Sequence, residues 1–120
     1  KPKPKPKPTP TTIFKEILQQ SKQMVSEWGG EMYFVYLRGF GLQSTDYTIH
    51  EDEYREIVMQ TVTELDIPII DIQNEVFKTH PDPLSLFPFR GNYHYNAKGY
   101  RLVAEAIRKK IDSDHYIKIN

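Results

Sequence analysis

The side chains best suited to proton transfer sit in one stretch, "FRGNYHYNAKGYRLVAEAI", residues 89–107. His94 stands between Tyr93 and Tyr95, Asn96 and Gly99 follow at once, and the pattern then becomes that of an amphipathic helix. An imidazole is the side chain that exchanges a proton near neutral pH, so one held in a loop ahead of a helix suits a general base. The same spacing also suits a solvated histidine before a capped helix, because Asn satisfies the N–H groups a helix start leaves unpaired and Gly permits close packing. A base of this kind needs a hydroxyl to act on and a carboxylate to orient it. Asp82, in "HPDP" twelve positions before His94, is by residue type and neighbours a common turn residue. Asp71 closes an apolar run and suits the bracing of the turn after it. Ser44 and Ser85 are the loop serines on the same side, and neither stands in the Gly-flanked strand-to-helix elbow that activates a nucleophile.

His50, His80, His94 and His115, with Asp46, Asp52 and Asp82, follow no ligand spacing along a helix, so no metal site is expected and no cofactor is implied. The absence of cysteine excludes a thiol nucleophile, a thiolate zinc site and a disulfide scaffold, and leaves the compartment open. Tyr93, Tyr95 and Tyr100 offer either a stacking surface for a sugar or base, or rings half-buried at a helix start.

Several elements must position these groups. Ile13, Phe14, Ile17, Leu18, Met24, Val25 and Trp28 recur at helical spacing behind Thr11 and Thr12 as capping candidates, and Gly29-Gly30 stops the run. "MYFVYL", residues 32–37, is apolar on both parities, as in a strand covered on both faces. Residues 38–50 read as a loop at its carboxyl end. A second helix is expected from about Glu51, with Tyr54, Ile57, Val58, Val62 and Leu65 on one face. "PIIDI", residues 68–72, reads as a second buried strand, residues 73–79 as a short helix, and the last helix begins near Asn96. "YIKI" at the end suits a weak edge strand. The order helix, strand, helix, strand, short helix, helix is that of an α/β fold with a small parallel sheet. Ligands bind such sheets beyond the carboxyl ends of the strands, where both long loops emerge.

Residues 1–10, "KPKPKPKPTP", form a Lys-Pro linker or tail in polyproline II or disorder, since every second residue lacks an amide hydrogen. Residues 11–120 form one α/β domain, or the C-terminal part of a larger one. With 16 basic and 16 acidic side chains the chain has no overall pull toward nucleic acid. No apolar run approaches the roughly 20 residues of a membrane span.

"DPLSLFPFRGNYHYNAKGYRLVAEAI", preceded by "MYFVYL" and "ELDIPIIDI", resembles the C-terminal part of the SGNH (GDSL-type) hydrolase superfamily, over roughly residues 31–110. The resemblance implies a partial flavodoxin-like, three-layer arrangement. It implies ester or O-acyl hydrolysis or transfer on a small-molecule substrate, with His94, Asn96 and Gly99 matching the family's H-x-N-x-x-G setting of the general base. This chain departs from the family in three ways. No Gly-Asp-Ser nucleophile segment is present, the Gly and Asn of the oxyanion hole are missing, and Gly91 stands where a triad Asp often precedes the histidine by three. Asp82 is then the candidate acid. The chain is expected to be inactive alone and to need a complementing N-terminal segment or a second copy. The alternative is a non-catalytic α/β binding or oligomerisation module with a basic, Pro-rich arm.

Overall fold

The computed structural model describes residues 2–7, 9–37, 55–91 and 94–119, with the side chains of 117–119 left aside. The expectations for residues 38–50, including Ser44, Asp46 and His50, and for Asp52, Tyr54 and Tyr93 lie outside the described residues. The chain divides into two compact units, one of Lys1–Phe34 with Tyr54–Pro68 and one of Val35–Glu53 with Ile69–Asn120.

In the first unit, α1 (Pro10–Glu27) begins one turn earlier than the apolar periodicity suggests. Thr9 is its cap, with the hydroxyl oxygen accepting the Thr12 N–H at 3.2 Å, and Pro10 occupies the first turn, where its missing N–H costs nothing. Such a cap contributes about 1 kcal/mol. At the other end Gly29 takes φ +79°, and the Gly29 and Gly30 N–H groups donate to Ser26 and Val25 carbonyls at 3.0 and 2.9 Å. This 5→2 and 6→1 pair needs a left-handed residue, which glycine adopts without a Cβ penalty. α2 (Arg55–Glu64) ends the same way, but with Asp66 at φ 55° in the glycine position. Ile67 N–H reaches the Val62 carbonyl, and both side chains are buried.

Two cations of α1 turn toward α2. Lys15 pairs with Glu64 at 3.3 Å, and the Lys22 ammonium donates to the Leu65 carbonyl at 2.6 Å, neutralising a helix end that has no basic residue of its own. Leu18 is buried and Phe14 meets Phe34 edge-on at 6.1 Å between ring centroids. The apolar residues of α1 nevertheless do not share one buried face. Ile13, Ile17, Met24 and Trp28 remain exposed, a second row beside the one that packs.

β1 (Phe34–Tyr36) and β2 (Ile69–Asp71) form a two-stranded parallel sheet, shorter than either apolar run. Leu37 is already half exposed, so coverage on both faces does not extend to the end of "MYFVYL". The fold is a small, mostly helical α/β arrangement. In the second unit the expected short helix is a π turn (Gln73–Phe77), closed by Lys78 N–H to the Gln73 carbonyl at 2.9 Å. Asp71 Oδ1 accepts the Asn74 N–H at 3.4 Å, the bracing contact expected of it. Two 3₁₀ turns (Pro83–Leu86 and Pro88–Arg90) lead toward α3 (Ala97–Ile119). "YIKI" is helical rather than an edge strand: no Gly or Pro interrupts α3 after its first turn, and Arg108–Asp112 and Lys110–Asp114 pairs support its last turns.

Ile70, Ile72, Val76, Phe77, Leu86 and Phe87 make the core of this unit. Gln73 is buried among these positions at 2 % exposure, and its Nε2 has no acceptor among the described residues. Ile69–Asp71 face residues 106–113 across one cleft, while Glu75–Pro81 face residues 102–109 across another, so the chain leaving β2 runs antiparallel to α3. It arrives at the N-terminal half of α3, beyond the carboxyl end of the strand.

Candidate functional site

The loop ahead of α3 is built from the aromatic side chains inward. Tyr95 lies 5.3 Å from Phe77 and 5.4 Å from Phe87, ring centroid to centroid, and Phe77 stacks on Phe87 at 5.6 Å with an interplanar angle of 22°. Tyr100, one turn into α3, meets Tyr95 edge-on at 5.5 Å. Offset and tilted contacts of this kind add about 0.5–1.5 kcal/mol per pair beyond burial. Tyr95 therefore serves as an anchor tying the loop to the π turn. Tyr100 keeps half its surface open.

Asn96 makes the second attachment. Its Oδ1 accepts the Gly99 N–H at 2.9 Å, capping α3, while its Nδ2 donates to the Ser85 carbonyl at 2.8 Å. Its own N–H donates to the Leu86 carbonyl, also at 2.9 Å. Gly99 is buried against that carbonyl: a Cβ there would stand 2.7 Å from Leu86 O and 2.9 Å from Tyr95 Cβ. Asn96 and Gly99 thus have the structural roles that their residue types suggest, cap and close approach.

His94 immediately precedes these fixed points and is exposed. Among the described residues its imidazole makes no hydrogen bond. Asp82 is engaged elsewhere: both its carboxylate oxygens accept from the Arg90 guanidinium, Nη1 to Oδ2 and Nη2 to Oδ1, each at 2.9 Å. That bidentate hydrogen bonding, with the positive charges of Arg90 and, farther off, Lys98, holds the Asp82 carboxyl below its ordinary value despite desolvation. A part for Asp82 beside His94 would require this clasp to open. Asp82 N–H also donates to His80 Nδ1 at 2.9 Å, and the Ser85 hydroxyl donates to the Asp82 carbonyl at 2.6 Å. The Ser85 proton is directed at a backbone oxygen, not at an imidazole.

At the Arg90 end of the clasp, Phe89 and Arg90 take φ values of 53° and 59°, the left-handed region that non-glycine residues occupy at a cost. The Phe89 ring is 99 % exposed. Arg90 escapes a sequence reading because loop partners eight residues apart follow no helical or strand period. A further feature without a sequence signal is the open cleft of about 280 Å³ lined by Val76, Thr79, His80, Leu102 and Glu105, which His94 does not line. Among the described residues no group of three His, Asp or Glu side chains is arranged to hold a metal ion. Comparison with protein-family models, with curated proteins and with solved structures finds no match to this chain.

Proposed function

We propose that this chain is the general-base portion of an SGNH-type, flavodoxin-like serine hydrolase, acting on an ester or O-acyl substrate. The observation that carries the reading is the attachment of residues 95 and 96. Tyr95 is locked into the Phe77–Phe87 cluster and Asn96 makes four hydrogen bonds, so the backbone that carries His94 is fixed on its C-terminal side at the mouth of α3 while the imidazole stays open to solvent. His94 then takes the proton of a serine hydroxyl supplied by a segment other than these residues, as that oxygen attacks the acyl carbon. It returns the proton to the departing alkoxide, and the same base activates the water that releases the acyl group. Oxyanion donors come from the segment that carries the serine.

One observation favours the alternative, a non-catalytic α/β module. Arg90 occupies both oxygens of Asp82, which leaves His94 with no orienting carboxylate among the described residues. The two readings separate in one experiment. p-Nitrophenyl acetate hydrolysis and fluorophosphonate labelling are measured on this polypeptide alone and on the full product of the reading frame that encodes it. Turnover only in the latter, lost in His94→Ala and kept in His80→Ala, supports the hydrolase. Turnover indifferent to His94, or no labelled serine in the full product, leaves the binding module.

A further inference from the structure

We propose that two copies of this chain associate through α1, antiparallel, about a twofold axis beside Gln20 and Ser21. The inference is independent of the hydrolase reading. Ile13, Ile17, Met24 and Trp28 are 44, 57, 65 and 73 % exposed. At 3.6 residues per turn these four positions fall within a stripe about 60° wide, next to the row of Phe14, Leu18 and Val25. A helix of 18 residues, with Trp28 at its C-cap, that packs one apolar row and leaves a parallel row exposed among the described residues has a surface shaped for another helix.

The spacing selects the occupant. The stripe is symmetric about the midpoint of Gln20 and Ser21, so a twofold axis there sets Ile13 against Trp28 of the second copy and Ile17 against its Met24, each contact made twice. Positions 13, 17, 20 and 24 alternate steps of four and three, as in the seam of a coiled coil; the next seam position is Glu27, with Trp28 beside it, so Gln20 and Glu27 are the polar residues along it. Polar seam residues fix register at a cost in stability.

Charge selects the direction. The balanced total hides a segregation: Lys1, Lys3, Lys5 and Lys7 all precede α1, while residues 11–120 carry 12 basic against 16 acidic side chains. Residues 2–7 of this arm are exposed. In an antiparallel pair the arm leaves its helix beside the other copy's helix carboxyl end, where Glu27 and Glu31 stand and the last turn has no basic residue. A parallel pair would set the two arms side by side and oppose like charges. An anionic bilayer fits less well than a second copy. Glu16 and Glu27 border the stripe on its open side, whereas Lys15 and Lys22 are turned toward Glu64 and the Leu65 carbonyl; the same twofold sets Glu16 near Glu27 of the second copy, a like-charge contact that weakens the pair.

Four side chains and an arm cover less than the roughly 800 Å² per partner of a standard stable interface, so the pair is weak and reversible. Sedimentation equilibrium of the full chain from micromolar to millimolar concentration tests it. A monomer–dimer transition is expected, shifted at least about tenfold toward monomer by Ile17→Glu with Met24→Glu, with an unchanged thermal melt because both positions are exposed. Lys3, Lys5 and Lys7→Glu should weaken the dimer at low salt, and adding Glu27→Lys with Glu31→Lys should restore it. Since the chain has no cysteine, direction is read directly: Ile17→Cys mixed with Met24→Cys should oxidise to the 17–24 heterodimer in preference to either homodimer. A wild-type monomer throughout the range overturns the proposal, as does a dimer insensitive to the Glu pair. Preferential 17–17 cross-linking overturns it too, and so does binding to phosphatidylglycerol vesicles by a chain that stays monomeric in solution.

Discussion

Replacing Asn96 by alanine removes two attachments at once, and the structure separates them. The cap bond to Gly99 N–H, at 2.9 Å, is of the kind that costs about 1 kcal/mol when lost. The Nδ2 bond to the Ser85 carbonyl, at 2.8 Å and partly buried, contributes about 1 kcal/mol more. Asn96→Ala should therefore lower stability by about 2 kcal/mol, a fall in Tm of about 8 °C for a domain of this size. Asn96→Asp keeps the capping oxygen and places negative charge at a helix N-terminus, but has no donor for Ser85. It should cost about 1 kcal/mol. Urea titration followed by circular dichroism gives both numbers, and amide exchange at Gly99 reports the cap alone. Exchange should accelerate in Asn96→Ala and stay slow in Asn96→Asp. An alanine variant within about 0.5 kcal/mol of wild type, or a Gly99 amide equally protected in both variants, would refute the double attachment and with it the argument that the backbone carrying His94 is held in place.

Gly99→Ala sets two effects against each other. Alanine favours a helix over glycine by about 1 kcal/mol, yet its Cβ meets the Leu86 carbonyl oxygen at 2.7 Å, backbone that is itself bonded to Asn96. Overpacking of about 1–3 kcal/mol should win, and a stabilised variant in a thermal melt would disprove the close approach. The Asp82–Arg90 clasp sets a pH dependence. Because the folded carboxyl is held below its ordinary 3.8, its contribution is complete above about pH 4 and disappears as pH falls through the lowered value. Carbon-detected NMR titration of Asp82 should give a midpoint below 3.8 that rises in Arg90→Ala, and an unmoved midpoint would break the attribution to Arg90.

Periodicity made the three α-helices and both strands visible in the sequence, because Leu18, Val62 and Val103 belong to rows that the core requires at fixed intervals. It could not divide α1 into a packed row and an open one, since the two rows are chemically alike and only the neighbouring elements distinguish them. The ends were less legible. Thr9, not Thr11 or Thr12, caps α1 because Pro10 extends the helix backwards, and the "YIKI" run has strand-forming residues that an uninterrupted helix overrides. In the candidate site, Asn96 and Gly99 were legible as cap and close contact from residue type alone. The π turn and the hold of Arg90 on Asp82 were not, because both depend on backbone paths between residues with no repeating pattern.

The sheet of two three-residue strands has a practical corollary for anyone concentrating this protein. Among the described residues each strand has a neighbour on one side only. Strands of three residues offer an extended peptide few amides and carbonyls to pair with, which is one way sheet edges are kept from templating growth. Substitutions that lengthen either strand, rather than the native ribbon, are what would bring strand addition at high concentration.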